Sequence, residues 1–242
     1  MSWRALLGLG AVPPLIVLVL RRSINESWVW EVKRKVGEVR LRNRSRYAYT
    51  AAFTAASLFA WTFVLAIFAN YTPTILISAM GLSKSMAILI GGLQWVGFVA
   101  GGLLVFRHCD RLGRRGLIIS ATACASVLLG LSAIVVRDPV AMSMVLLALW
   151  VLGGIGYIIN SIYSAELFPT LLRGTSNGLS FSAGRLGGYL STLLLPSLLL
   201  TVGLGGIFLI SAALLAPIAL ACLITAPSSE NRSLDDLERQ YY

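Results

Sequence analysis

The chain has 242 residues, of which 57% are hydrophobic and only 12% are charged, and its formal net charge is +10. A soluble domain carries about 25% charged residues, so this composition excludes an ordinary soluble protein and indicates a multi-pass membrane protein made of apolar helices. The basic residues lie mainly in loops, where they set orientation in the membrane, so no nucleic-acid partner is predicted.

The sequence predicts seven membrane-spanning helices. About 20 apolar residues are enough to cross the hydrocarbon layer, and the first five predicted spans lie within residues 3–20, 47–80, 85–106, 117–136 and 140–164. The first span is short and is interrupted by Pro13-Pro14. No small-residue cleavage site follows it, so it is interpreted as a span rather than as a signal peptide.

The last two spans share one long uncharged region. No charged residue occurs from Leu186 to Ala226, and this stretch is too long for one helix that crosses the membrane once. Because proline and glycine interrupt helices, the break is predicted at Pro196 and at the glycines of 203–206. The predicted domains are a first helix at 1–20, a basic linker at 21–46, a six-helix bundle at 47–226 and a tail at 227–242.

Charged residues concentrate in alternate loops. The linker, the loop 107–115, the loop that holds Glu166 and Arg173, and the tail are charged, whereas the loops between them carry little charge. Short loops rich in Lys and Arg stay on the cytoplasmic side. The chain is therefore predicted to lie in the lipid bilayer of the cell membrane, with the linker and the C-terminus in the cytoplasm.

Several motifs occur in one order along the chain. Residues 110–115 read D-R-L-G-R-R, and residues 163–174 read Y-S-A-E-L-F-P-T-L-L-R-G. The first motif resembles the signature loop of the major facilitator superfamily. The second resembles the loop between the tenth and eleventh helices of its sugar-porter-type members, and residues 7–13, 26–30 and 227–237 resemble the sixth helix, the loop after it and the tail of the same proteins.

The resemblance implies an all-α membrane protein whose seven helices correspond to helices six to twelve of a twelve-helix facilitator. Facilitators bind their substrate near the midplane between two six-helix bundles and work by alternating access. The chain would supply the second bundle, and a missing or separate N-terminal half would complete the transporter. No enzyme activity and no cofactor are predicted, and Cys109, Cys124 and Cys222 are too scattered for a metal site.

The charged loops are predicted to form a cytoplasmic gate. The resemblance places Asp110 against the N-terminus of the sixth span, whose partial positive charge favours a carboxylate. Asp110 is expected to pair with Arg114 or Arg173, and Glu166 to join a network with Arg173. The predicted gate residues are Asp110, Arg111, Gly113, Arg114, Glu166 and Arg173. The alternative is a set of loops that only fix topology.

Arg185 is the most informative single residue for binding, because it lies well inside the sixth predicted span. An arginine at the bilayer centre costs at least about 2.5–3.5 kcal/mol and indicates a functional site. Its context, Gly-Arg-Leu-Gly-Gly, resembles the eleventh helix of organic-ion facilitators, where an arginine faces the central cavity. Arg185 is predicted to bind an anionic group of a small organic solute. The alternative is a structural partner for a group in the missing half.

Neutral polar and aromatic side chains inside the spans complete the predicted substrate site, since such groups suit a small organic ligand. The predicted substrate-binding residues are Arg185, Asn160, Gln94, Tyr71, Trp61 and Tyr157. Arg185 favours an organic ion, whereas the sugar-porter-type loops favour a sugar. The alternative function is a non-transporting interaction subunit or a remnant half-transporter, which would lack a complementary half.

Overall fold

The structure, a computed structural model, describes residues 3–22, 43–135, 138–168 and 170–225. The chain divides into two compact units, Met1–Arg40 and Leu41–Tyr242. The described part of the first unit contains the helix α1, Trp3–Arg21, which runs through Pro13 and Pro14 without a break. The predicted interruption is therefore wrong, since membrane helices tolerate proline. Most of the predicted linker and the whole predicted tail lie outside the described residues.

The described residues of the second unit form a bundle of six helices. They are α2 (Arg44–Met80), α3 (Lys84–Leu112), α4 (Arg114–Val135), α5 (Pro139–Leu167), α6 (Arg173–Thr201) and α7 (Gly203–Thr225). The described residues contain no strand. The prediction of an all-α membrane protein is confirmed, and the helices α2, α3, α4, α5 and α7 each contain a segment long and apolar enough to cross a membrane.

The remaining two helices differ from these five in composition. The apolar part of α1 is the shorter stretch Val12–Arg21. Helix α6 is long enough to span, but Arg185 and many serines and glycines lower its hydropathy. The count of seven spans therefore stays a prediction.

Local sequence signals fix the helix ends. The side chain of Asn43 accepts a hydrogen bond from the backbone N–H of Arg46 (3.0 Å) and so caps α2. Helix α2 ends at Gly81, which has φ 67, a left-handed conformation that glycine adopts without strain. The break between α6 and α7 lies at Gly203, which has φ 68. Pro196 lies inside α6, so only the glycine part of the predicted break is correct.

The helices pack most extensively in pairs that are not consecutive in the chain: α2 with α6, α3 with α5, and α4 with α7. Helices α3 and α5 cross closely at Gly101 and Gly154. A Cβ atom on Gly101 would collide with the carbonyl oxygen of Val151, and one on Gly154 with that of Phe98. Small residues let membrane helices approach to backbone contact, so these two glycines fix the position of α3 against α5.

Polar side chains join α2 to α6 along much of their length. These contacts are Tyr47 Oη to Ser176 Oγ (2.7 Å), Thr54 Oγ1 to Ser180 Oγ (2.9 Å) and Asn70 Nδ2 to Thr192 Oγ1 (3.0 Å). We call this row the hydroxyl seam. Hydrogen bonds between membrane helices satisfy groups that lipid cannot, so the seam aligns the α6 face that carries Arg185 with α2.

Candidate functional site

A cavity of about 520 Å³ lies between α2, α3, α5 and α6. Its wall on α3 and α5 is aromatic and consists of Trp95, Phe98, Trp150 and Tyr157. The ring centroids of Trp95 and Trp150 are 4.7 Å apart, and those of Phe98 and Tyr157 are 6.1 Å apart. The buried indole nitrogen of Trp150 has no hydrogen-bond partner among the described residues. This wall offers large flat surfaces to a ligand.

The opposite wall, on α2 and α6, combines small and large residues. Four small residues, Ala66 and Ala69 of α2 and Gly184 and Gly188 of α6, line it together with larger side chains such as Leu58, Leu65 and Phe181. The cavity is therefore a slot between a flat aromatic wall and a wall that contains these four small residues, which we call the small-residue wall. Trp95 and Tyr189 at its rim are 57% and 64% exposed, so the slot is open along α3 and α6.

Arg185 supplies the only charge among the described residues that line this cavity. It lies about 18 Å along α6 from Arg173, near the middle of the helix. Its side chain is exposed and forms no ion pair within the part of the chain that the structure describes. The acidic residues of that part, Asp110, Asp138 and Glu166, lie at or near helix ends. The cavity therefore presents an uncompensated positive charge.

The structure brings two of the six predicted substrate-binding residues, Arg185 and Tyr157, to the cavity. Trp61 is fully buried, and its indole N–H donates to Thr122 Oγ1 (3.3 Å). Tyr71 is half-buried, and its hydroxyl donates to the backbone oxygen of Thr192 (3.4 Å). Trp61 and Tyr71 therefore hold helices together rather than line the cavity.

Gln94 and Asn160 are also away from the cavity lining, and each is 1% exposed. Gln94 Nε2 donates to Thr72 Oγ1 (3.0 Å). Asn160 Oδ1 accepts from Ser57 Oγ (2.7 Å), and its amide nitrogen donates to the carbonyl oxygen of Gly156 (2.7 Å). Buried polar groups need such partners, so these two side chains bond α2 to α3 and α2 to α5. Their predicted role in substrate binding has no support from this geometry.

Thirteen of the fifteen residues that line the cavity were not in the predicted set, among them Asn70, Phe181 and Tyr189. For the last two a signal was present in the sequence. Phe181 and Tyr189 lie four residues before and after Arg185, and residues four apart share one face of a helix. Asn70 lies on α2 and could be found only once the hydroxyl seam had set the register of α2 against α6.

The ends of α3, α4 and α5 carry a second cluster of polar side chains, which we call the charged end. Arg114 Nη1 donates to Asp110 Oδ1 at 2.8 Å, and Arg114 Nε lies 3.2 Å from the carboxylate of Glu166. The side chains of Arg114 and Glu166 are 21% and 25% exposed, whereas that of Asp110 is 82% exposed. Arg114 therefore bridges one exposed and one largely buried carboxylate and ties α3 and α4 to α5.

The other predicted gate residues take different positions. Gly113 lies between α3 and α4 and has φ 74. Glycine adopts such a positive φ more readily than other residues. Arg111 is exposed and has no ion pair among the described residues. The Nε and Nη2 atoms of Arg173 are buried without a hydrogen-bond partner there. Of the two partners expected for Asp110, Arg114 is bound and Arg173 is not. The expected pairing of Glu166 with Arg173 is not formed either, and Glu166 binds Arg114 instead.

The described residues contain no group of three His, Cys, Asp or Glu side chains placed to hold a metal ion. What the cavity and the charged end offer instead is a single cation in an aromatic slot and an ion-paired junction of three helices. The cavity suits the binding of an organic solute, whereas the charged end ties α3, α4 and α5 together.

Comparison with known proteins relates the chain to several bacterial transporters. It is 26% identical over 205 residues to the cis,cis-muconate transport protein of Acinetobacter baylyi, covering 77% of this chain and 48% of that protein. It is 28% identical over 189 residues to the alpha-ketoglutarate permease of Escherichia coli, covering 75% and 43%. The minor myo-inositol transporter IolF of Bacillus subtilis is 22% identical, covering 94% and 55%. The chain spans about half the length of these relatives.

Solved structures and a family model agree with these relatives. The fold matches that of the major facilitator superfamily proton:xylose symporter XylE with a TM-score of 0.65 and 20% identity, covering 79% of this chain and 42% of that one. The POT family transporter PepTSo matches with a TM-score of 0.63 and 17% identity, covering 73% and 37%. The resemblance to the major facilitator superfamily is thus confirmed. The family model for sugar (and other) transporters matches residues 33–241, and the chain belongs to this family.

Proposed function

We propose that this chain is the second half, helices six to twelve, of a secondary transporter that carries a small organic anion by alternating access. The observation that supports the anion is Arg185, the single charge in an otherwise uncharged cavity. A desolvated guanidinium binds a carboxylate through short, charge-assisted hydrogen bonds. Two of the relatives are named for organic anions, muconate and alpha-ketoglutarate.

The open side of the slot supports a second bundle opposite this one. Trp95 and Tyr189 are more than half exposed at the cavity rim, as are Val96 and Leu186 beside them. In a facilitator the substrate is enclosed between two bundles. We infer that an N-terminal half covers these side chains and completes the cavity around the ligand.

The charged end is proposed to act as the cytoplasmic gate. Arg107, Arg111, Arg114, Arg115 and Arg173 all lie at this end of the bundle. Since positive charge marks the cytoplasmic side of membrane proteins, we propose that the chain lies in the cell membrane with the linker 21–46 and the C-terminus in the cytoplasm. Breaking the bonds of Arg114 to Asp110 and Glu166 would free this end of α4 from α3 and α5, while the contact between Gly101 and Gly154 would still hold α3 against α5.

Ligand binding to the purified chain in lipid nanodiscs tests the anion proposal. Binding of cis,cis-muconate, alpha-ketoglutarate and myo-inositol would be followed by the fluorescence of Trp95 and Trp150, which line the cavity. We expect at least one carboxylate to bind more tightly than myo-inositol. Hydrogen bonds to a charged group contribute about 1.5–3 kcal/mol, so Arg185→Gln should weaken carboxylate binding about 10- to 100-fold.

The matched control is Arg107→Gln, which removes an exposed arginine at the charged end and leaves the cavity intact. This variant should bind the carboxylates as the unmodified chain does. Unchanged carboxylate affinity in Arg185→Gln, or tighter binding of myo-inositol than of either carboxylate, would show that the cavity does not select an anion.

A further inference from the structure

Helix α6 has three neighbouring glycines, Gly184, Gly187 and Gly188, and the space around each one is different. A Cβ atom on Gly187 would lie 2.5 Å from the backbone oxygen of Phe59, which is too close for any residue but glycine. A Cβ atom on Gly184 would lie 3.1 Å from Thr62 Oγ1, which is tight. A Cβ atom on Gly188 would lie 3.7 Å from the Cβ atom of Ala66, an ordinary van der Waals contact. Helix packing therefore requires Gly187, restricts Gly184 and leaves Gly188 unexplained.

Gly188 lines the cavity, so the space that it leaves empty is cavity space. Side chains on a helix lean toward its N-terminus and cover the turn before their own Cα atom. A side chain at 188 would therefore cover the surface beside Arg185, one turn earlier. With glycine at this position, that surface is bare and faces the aromatic wall of Trp95 and Tyr157.

We propose that Gly188 sets the size limit of the ligand, because its missing side chain leaves room beside Arg185 for the ligand's bulk. The proposal rests on the proposed function, in which Arg185 holds a carboxylate. A ligand anchored there extends over Gly188 between the small-residue wall and the aromatic wall. Adding methyl groups at 188 narrows the slot at this point and excludes large carboxylates before small ones.

Two carboxylates with the same charge and different width test this inference. Benzoate and 2-naphthoate are titrated against the full chain in lipid nanodiscs, with tryptophan fluorescence as the readout. We expect Gly188→Ala and Gly188→Val to raise the ratio of the 2-naphthoate Kd to the benzoate Kd stepwise, by about 5- to 150-fold for valine, since overpacking costs about 1–3 kcal/mol. Benzoate affinity should stay within about threefold in Gly188→Ala.

Two further variants separate size selection from folding. Gly178→Ala adds a methyl group on the same helix, where no atom lies within 4 Å and outside the cavity lining, and it should leave both affinities and the Tm unchanged. Gly187→Ala should lower the Tm strongly because of the collision with Phe59. A fall in the Tm of Gly188→Ala as large as that of Gly187→Ala would overturn the inference, because packing would then explain the glycine.

The ligand measurements keep the two proposals apart. If the unmodified chain binds both acids and the Gly188 variants weaken both equally, the size limit is wrong and the anion site stands. If the unmodified chain binds neither acid, the carboxylate site itself is wrong, and the size limit falls with it. A stepwise rise in the Kd ratio, with the Tm preserved, supports both.

Discussion

The bridge made by Arg114 predicts unequal roles for its two carboxylates. Glu166 is 25% exposed, whereas Asp110 is 82% exposed, although each lies within 3.2 Å of the guanidinium. Exposed ion pairs contribute about 0–1 kcal/mol, and breaking a fully buried pair costs about 3–5 kcal/mol. Glu166 lies between these limits, so we expect Glu166→Gln to cost about 1–2 kcal/mol and Asp110→Asn less than about 0.5 kcal/mol.

Thermal unfolding of the purified chain, followed by tryptophan fluorescence, measures the difference. One kcal/mol shifts the Tm of a protein of this size by about 2–4 °C, so Glu166→Gln should lower the Tm by about 2–8 °C and Asp110→Asn by at most about 2 °C. Both variants remove one negative charge and keep the shape of the side chain, so each is the control for the other.

Salt adds a second test of the same reasoning. The Debye length falls to about 3 Å at 1 M salt, so the small effect of Asp110→Asn should disappear there while most of the effect of Glu166→Gln remains. Equal Tm shifts for the two variants at low salt, or a larger shift for Asp110→Asn, would refute the argument that burial decides the strength of the two bonds.

Three further variants, together with one control variant, test the packing and the turns of the bundle. Gly101→Ala places a methyl group against the α5 backbone and should lower the free energy of unfolding by about 1–3 kcal/mol. The control is Gly92→Ala, where no atom lies within 4 Å of the added methyl group, and it should leave the Tm unchanged. Asn160→Ala removes the bond to Ser57 and should lower stability by about 1–3 kcal/mol in the same unfolding assay. Gly203→Ala, at φ 68, should cost about 1–2 kcal/mol, measured as a lower denaturation midpoint.

Hydropathy and loop charge predicted most of the helices, because a membrane helix must be apolar wherever it meets lipid. The same pattern gives the depth of a side chain but not the direction in which it faces. Gln94 and Asn160 were predicted at the cavity because they lie deep in their spans. The structure places both on faces that contact α2. These directions depend on how α2, α3 and α5 pack together.

Arg185 was predictable because a charge inside a span is rare. Its neighbours Phe181 and Tyr189 follow from it by helical spacing alone. The bridge at Arg114 was foreseen only in part, since the sequence offers both Arg114 and Arg173 as partners for Asp110 and does not choose between them. The turn at Gly113 puts Arg114 at the start of α4, where it lies beside Glu166. This turn therefore decides which arginine binds the carboxylates.

The pairing of α2 with α6 has a consequence for biosynthesis. Thr54 and its partner Ser180 are 126 residues apart, and at about 5–20 residues per second a ribosome takes about 6–25 s to connect them. During that interval α2 lies in the bilayer without α6, the helix that carries Ser180. The hydroxyls of Thr50 and Thr54 bond to backbone oxygens one turn earlier, at 2.9 and 3.1 Å. These two hydroxyls are therefore satisfied within α2 itself until α6 has been inserted.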